Sequence, residues 1–527
     1  MLNTTTRVTQ DGTAPTRNIG STRLVLVAFL TGTLVSFAWS WTPSLWTDEA
    51  ATISAASRSF VELLRMARTI DAVHATYYAF MHLWLQVVPA EALWLRLPSA
   101  LAAGAATAGV LVVGRRIGGD KLGLLASVVF AVLPRTTWMG AEARPYAMTA
   151  VVAVAATGVL VLAVEHQRAG GSRGPRRQAV LLAAYAVLAA LGIALNVYVA
   201  LLLVSHALTL LLLPGVSWPF RLRWFVSGVV ATLLSSPIVW TAAHQTGQLG
   251  GGAFGWATWA RNVVVNQWYL GETPTLSTGG DVFSGLLSWK LAAVALAVLC
   301  WLVVGLGLRR RPTATVVLWA LPWIAVPTLV IGLYSVLVHN MYSARYFTFA
   351  TAGLALLVAH GLVQLRRGRT IGLLLLAVVL IAAPVWVSQR EQYAKSGADW
   401  AEAARFVREG SSAGEGVYFA PRYPIESDIV RQTTRGIFTA YPSAFQGLVD
   451  VTLVETAVQS GDLTGRSALL EASYARWKPL EAIWVVRRND YAYKAQDDGV
   501  LLDAGFKPSA QWEGPLDQVI EYRRLPR

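Results

Sequence analysis

Two adjacent carboxylates, Asp48 and Glu49, follow the first long apolar run of the chain in the segment Trp46-Thr47-Asp48-Glu49-Ala50. A carboxylate near hydrocarbon is costly to ionise unless it is paired or used. It is also a natural base for a hydroxyl that loses its proton as it attacks. An acidic pair in a first helical turn equally suits the helix macrodipole, so the dipeptide alone leaves both readings open. Farther along, Asp71, His74, Tyr78 and His82 recur at i, i+3, i+7 and i+11, one face of a helix lying along a membrane surface. His74, His82 and a carboxylate have the chemistry of a metal set, but interfacial histidines satisfied by hydrogen bonds give the same pattern. No cofactor is called for, and a divalent metal is neither indicated nor excluded.

Three arginines stand where the chain re-enters apolar sequence. Arg96 opens Arg96-Leu97-Pro98-Ser99-Ala100, Arg144 lies in Glu142-Ala143-Arg144-Pro145-Tyr146, and Arg345 lies in Tyr342-Ser343-Ala344-Arg345-Tyr346. A guanidinium fork holds a phosphate through two parallel N–H donors, although an arginine at a span end also simply snorkels. Carboxylates and arginines together suit a hydroxyl nucleophile and a phosphate leaving group. The carboxylate takes the proton, and the arginines stabilise charge growing on the departing phosphate.

These residues need elements to hold them. Of the 527 residues 55% are hydrophobic and 14% charged, well below the ~25% charged of a soluble protein. Residues 1–388 hold 27 Lys/Arg against 11 Asp/Glu, whereas 389–527 hold 17 against 19. The first part reads as membrane and the last as a soluble domain. The basic excess is not a nucleic-acid footprint, because the arginines punctuate apolar spans and form no continuous basic face. Cys300, the single cysteine, rules out a disulfide framework and a Cys-based zinc site.

Runs long enough to span ~30 Å of hydrocarbon recur at 23–41, 97–114, 122–138, 146–164, 179–195, 198–214, 224–243, 286–308, 313–338, 346–365 and 370–388. That predicts about eleven transmembrane helices, the pair around Asn196 also reading as one broken helix. The first run is expected to stay in place, being long for a cleavable signal core. With the tail 1–22 in the cytoplasm, five successive inner loops carry the arginine clusters, from Arg115/Arg116 to Arg366/Arg367/Arg369. Eight of the eleven acids of this part then fall outside, five of them in the loop 42–95: Asp48, Glu49, Glu62, Asp71 and Glu91. Glu142, Glu272 and Asp281 are the other three. Chemistry is expected at that outer face.

Four motifs in order carry a resemblance: Trp-Thr-Asp-Glu-Ala (46–50), the aspartate-to-histidine stretch (71–84), Arg-Leu-Pro-Ser-Ala with Gly-Arg-Arg after it (96–116), and Glu-Ala-Arg-Pro-Tyr-Ala (142–147). Tyr-x-x-Arg-Tyr (342–346) is a fifth. Together they resemble the multi-spanning GT-C glycosyltransferases, in the bacterial branch similar to protein O-mannosyltransferases and the aminoarabinose lipid A transferase. The resemblance covers the first 150 residues or so. It implies an inverting transferase at the outer face of a bacterial plasma membrane, using a sugar carried on a polyprenyl phosphate and a hydroxyl of glycan, lipid or protein as acceptor. Asp48 inherits the role of base with Glu49 beside it. Arg96, Arg144, Arg345 and Tyr346 inherit the lipid phosphate. Asp71, His74, Tyr78, His82, Glu142, Tyr146 and Tyr342 form a second ring of substrate-binding candidates. One departure concerns His74: the family often has His-Pro-Pro before its Tyr-Tyr, and this chain has His74-Ala75-Thr76.

The predicted architecture is therefore an α-helical polytopic membrane domain of GT-C type over 23–388 and an extracytoplasmic α/β domain over 389–527. In the latter, 399–407 reads as helix and 416–420, 481–486 and 519–522 as strands. The Gly- and Trp-rich loop 244–285 is a candidate flap. Mannose is the expected sugar, with arabinofuranose as the variant. A lipid-linked sugar flippase, which would need ionisable groups at the midplane, and a non-catalytic envelope glycan-binding protein are the rival readings.

Overall fold

The described parts of the eleven apolar runs are mainly helical in the computed structural model, which describes residues 19–170, 174–245, 254–273, 289–312, 314–425 and 427–524. Helix α1 (Ile19–Phe37) leads into three short helices, α2 (Thr47–Ala56), α3 (Phe60–Ala67) and α4 (Ala75–Trp84). Then come α5 (Ala92–Gly118), α6 (Asp120–Val132), α7 (Pro134–Met139), α8 (Tyr146–Arg168), α9 (Pro175–Leu195), α10 (Ala200–Leu212) and α11 (Trp218–Ala243). After the short α12 (Trp256–Arg261) follow α13 (Leu291–Arg310), α14 (Thr315–Leu337), a 3-10 stretch (Ala344–Ala350) running into α15 (Thr351–Val363), and α16 (Gly368–Ser388).

Among the described residues, eight of these helices are long and apolar enough to cross a membrane, rather than eleven. The three exceptions have local causes. Leu133 is extended before Pro134, which cuts the run 122–138 into α6 and α7. Asn196 caps a 3-10 turn through its side chain, which shortens the run that becomes α10. The first run is described as apolar helix only over Thr22–Phe37. The tail 1–18, the segments 246–253 and 274–288 of the candidate flap, and Asp281 with them, lie outside the described residues.

Prolines inside the spans follow one rule. Each removes an amide hydrogen and so frees the carbonyl four residues earlier, which hydrocarbon cannot satisfy. Ahead of Pro98 the freed Trp94 carbonyl accepts from the Trp84 indole at 2.9 Å. Ahead of Pro237 the Leu233 carbonyl accepts from Ser236 Oγ at 2.8 Å, and ahead of Pro322 the Leu318 carbonyl accepts from Thr209 Oγ1 at 2.9 Å. The first case also corrects the span boundary: α5 begins at Ala92, so Pro98 and Arg96 lie within it rather than at its start.

The C-terminal part packs α17 (Trp400–Gly410) and α18 (Gly436–Ala440) on a sheet. Its strands are β1 (Gly416–Phe419), β2 (Ile429–Val430), β3 (Val449–Asp450), β4 (Leu453–Glu455), β5 (Arg466–Ala468), β6 (Ala482–Arg488), β7 (Phe506–Glu513) and β8 (Asp517–Arg524). Five of them form a mixed sheet in the order β3-β1-β6-β8-β7, with β1 parallel to β3 and β6 and the β6–β8–β7 side antiparallel. The other three form a small sheet, β2-β5-β4. One apolar cluster joins this domain to the first loop: Leu45, Tyr77 and Leu95 share it with Trp400, Val417 and Trp484. Tyr441 adds a polar tie, its hydroxyl accepting from the Leu45 amide at 2.8 Å. The loop that carries the two carboxylates is thus held between membrane helices and sheet domain.

Candidate active site

Trp46 is extended and α2 starts at Thr47, so Asp48 and Glu49 occupy its first turn about 100° apart. That angle sends them to different places. Asp48 stays partly exposed. Its Oδ2 accepts from Arg345 Nη1 at 2.7 Å, and Arg144 Nη2 lies 3.5 Å from its Oδ1. Burial works to raise the Asp48 carboxyl, but Arg144, Arg345 and His74 outweigh it and hold it below the ordinary carboxylate range. Asp48 is therefore ionised at neutral pH.

Arg144 is positioned by the Arg-Pro turn before α8. Its Nη1 donates to Tyr78 Oη at 2.7 Å and lies 3.8 Å from Asp71 Oδ2, while the Tyr78 hydroxyl donates to the same aspartate. Asp71 takes a left-handed backbone (φ 57°), which ends the α3 segment and starts a 3-10 turn carrying His74. His74 Nε2 lies 3.8 Å from Asp71 Oδ1. Burial pushes the His74 imidazole down to about 4, so it is neutral at pH 7. Two buried nitrogens here have no hydrogen-bond partner among the described residues, the Arg144 Nε donor and His74 Nδ1.

Arg345 enters from the 3-10 stretch before α15, its guanidinium about 6 Å from the rings of Trp46 and Tyr346. The Tyr346 ring lies 6.4 Å from Tyr146 and 5.5 Å edge-on from Tyr198. Asn196 Nδ2 donates to the Tyr346 carbonyl at 2.9 Å. His74, Tyr146, Tyr198 and Tyr346 line a small, mainly apolar cavity of about 40 Å³ next to the ion pairs. On the other side of α2, Thr47, Ala50, Trp400, Arg422 and Arg431 line a cleft of about 500 Å³ between the first loop and the C-terminal domain. Arg422 Nη1 donates to Thr47 Oγ1 at 2.9 Å across it.

Of the sequence candidates, Asp48, Asp71, His74, Tyr78, Arg144, Tyr146, Arg345 and Tyr346 converge here, and five do not. Glu49 and Arg96 are fully buried and bind each other. Arg96 Nε and Nη2 meet the Glu49 carboxylate at 2.7 and 2.5 Å. The remaining Arg96 hydrogens go to the carbonyls of Ser40, Pro43 and Ser44 at 2.6–3.1 Å, so all five donors are engaged and none is left for a phosphate. Glu142 is sealed between Lys395 Nζ and the Trp46 indole. His82 points to the Ala56 carbonyl and Gln86: it shares the Tyr78 face of α4 but stands one turn farther along, away from the ion pairs. Tyr342 instead donates to Gln267 Oε1 at 2.5 Å and stacks on Phe254, which ties down part of the candidate flap. Among the described residues no group of three His, Cys, Asp or Glu is placed to hold a metal.

Sequence reasoning missed Trp46 as a partner of Glu142 and Arg345, Lys395 as its counter-charge, and Asn196 and Tyr198 as supports of Tyr346. Only Asn196 left a trace, a polar break in an apolar run.

The helical domain, with eight described helices long and apolar enough to cross a membrane, and the C-terminal sheet domain together form a multi-spanning fold found among solved structures. The likeness is seen in the crystal structure of ArnT from Cupriavidus metallidurans in the apo state, at a TM-score of 0.59 and 10% identity over 95% of this chain and 98% of that one. A weaker likeness, TM-score 0.48 and 10% identity over 95% and 74%, is to the archaeal oligosaccharyltransferase AglB from Archaeoglobus fulgidus in complex with an inhibitory peptide and a dolichol-phosphate. No protein-family model matches the chain, and no curated protein matches it by sequence.

Proposed function

We propose that the chain is a membrane glycosyltransferase that moves a sugar from a polyprenyl phosphate to a hydroxyl acceptor, with inversion, at the outer face of a bacterial plasma membrane. The observation that carries the reading is the meeting of Arg144 and Arg345, from distant parts of the chain, on Asp48, a partly exposed carboxylate of the first loop. The acceptor hydroxyl attacks the anomeric carbon as the bond from that carbon to the phosphate oxygen breaks. The electron pair leaves with the polyprenyl phosphate, and the hydroxyl proton passes to Asp48. Arg144 and Arg345, which neutralise Asp48 in the free site, neutralise the departing phosphate when the donor is present. The unpartnered Arg144 Nε is a further donor at that place. The cleft beside Thr47 suits the acceptor.

The test is transfer of labelled sugar by the purified protein from synthetic polyprenyl-phosphate mannose, with the arabinofuranose donor in parallel. Wild-type transfer that is lost in a folded Asp48→Asn variant is the expected result. A folded Asp48→Asn variant that transfers at the normal rate removes Asp48 as base.

A further inference from the structure

Opposite the candidate site, the arginine-bearing loops serve membrane orientation, but they are not alike in their partners. Arg115 pairs with Asp120 at 3.1 Å and Arg116 with Glu165 at 2.8 Å. Arg223 donates to Gln178 Oε1 at 3.0 Å, and Arg221 Nε to the Leu210 carbonyl at 3.1 Å. The last two loops differ. The end of α13 and the turn between α15 and α16 meet at a cavity of about 690 Å³ lined by Arg310, Arg311, Arg366 and Arg367 with Gln364 and Thr370. No carboxylate lines it. Arg310 Nη1 donates to the Gln364 carbonyl at 2.7 Å. Arg311, Arg366 and Arg367 have no side-chain hydrogen bond or ion pair among the described residues.

The packing that makes this cavity is specific. Gly307 and Gly361 let α13 and α15 touch backbone to backbone: a Cβ on Gly361 would fall 2.0 Å from the Val303 carbonyl oxygen. The contact draws two clusters from non-adjacent loops around one hollow, against their mutual repulsion. Topology alone asks only that arginines lie on one side of the membrane; it does not ask them to converge. The first turn of α16, with Arg367 as its cap and Thr370 in its third position, adds amide hydrogens without intrahelical partners. The hollow lies at the span ends, the depth of lipid headgroups, and has the size of a small-molecule site, ~300–1,000 Å³.

We propose that this cavity binds the phosphate headgroup of an anionic glycerophospholipid in the leaflet that faces the arginine loops. Basic pockets between spans at that depth take such headgroups, and four guanidinium groups without a counter-carboxylate supply the charge and the fork geometry.

The experiment is native mass spectrometry of the full chain with phosphatidylglycerol titrated into the detergent solution. The triple variant R311A/R366A/R367A is compared with a charge-matched control from two other inner loops, R176A/R177A/R221A. The cavity variant is expected to hold the lipid roughly a hundredfold more weakly, about fivefold for each guanidinium removed. The control is expected to stay within about twofold of wild type. Equal loss in both triples makes the attraction a general surface field and overturns the proposal. So does undiminished retention in the cavity variant. In a second arm, inorganic phosphate at millimolar concentration is expected to leave lipid retention unchanged; its displacing the lipid fully would assign the site to a free phosphate instead. Thermal unfolding of both triples verifies that a loss is not misfolding.

Discussion

Asp48 and Glu49 are neighbours in sequence with the same functional group, and the fold treats them as opposites. Glu49 is wholly buried against Arg96, and three backbone carbonyls complete that guanidinium's hydrogen bonds. Asp48 keeps 16% of its side chain exposed, and its partner Arg345 keeps 28%. One pair has the satisfied donors of a structural rivet. The other has long or half-open contacts, an unpartnered nitrogen on Arg144 and two hollows beside it. Charge alone does not separate the two carboxylates; spare hydrogen-bonding capacity does.

The contrast is sharpest under substitution. Asp48→Asn is expected to lower sugar transfer by about 10³-fold, within the range for loss of a general base, with the unfolding midpoint near wild type. Glu49→Gln is expected to do the reverse kind of damage. Leaving Arg96 buried without its counter-charge costs about 3–5 kcal/mol, which circular dichroism melts and folded yield will register. If Glu49→Gln melts like wild type, the rivet assignment is wrong. Next in size, Arg345→Ala is expected to cut transfer about 10²-fold, the usual loss when one charge-stabilising donor is removed. Folding should change little, since Arg345 is only partly buried. Arg96→Lys, by contrast, should lose stability, because an ammonium cannot reproduce five donors in a fork.

The two histidines of the same stretch extend the test to pH. His74 titrates near 4 in the folded chain against ~6.5 unfolded. Between those values the unfolded chain takes up a proton that the native site refuses, so stability falls as pH drops through that window, by up to about 3 kcal/mol. His74→Asn is expected to flatten that part of the pH–stability curve. His82→Asn, on a residue turned toward Ala56 and Gln86, is expected to leave transfer unchanged, the smallest effect of the set. A His82 variant that abolishes transfer would return that residue to the site.

Much of this site was legible in the chain itself. The apolar runs gave the helices, and Asp48, Arg144 and Arg345 could be named as one group because each sits where charge meets hydrocarbon. What the pattern could not divide was Asp48 from Glu49. Their separation depends on where α2 starts and on Arg96 being inside α5 rather than at its mouth. Lys395 was invisible for another reason: it reaches Glu142 across 253 residues, and no local period reports such a pairing. His82 was drawn in because it shares a helix face with Tyr78, but it stands one turn farther along α4.

Arg96 also bears on how the molecule is assembled. An arginine within a spanning helix meets an insertion penalty that rises to ~2.5–3.5 kcal/mol at the centre, and Arg96 stands in the second turn of α5. Here every group that neutralises or caps it, from Ser40 to Glu49, lies on the N-terminal side of it. During synthesis those partners leave the ribosome first. The segment that receives the cation is therefore already on hand when the second hydrophobic helix enters the bilayer, and the order of the chain doubles as an order of construction.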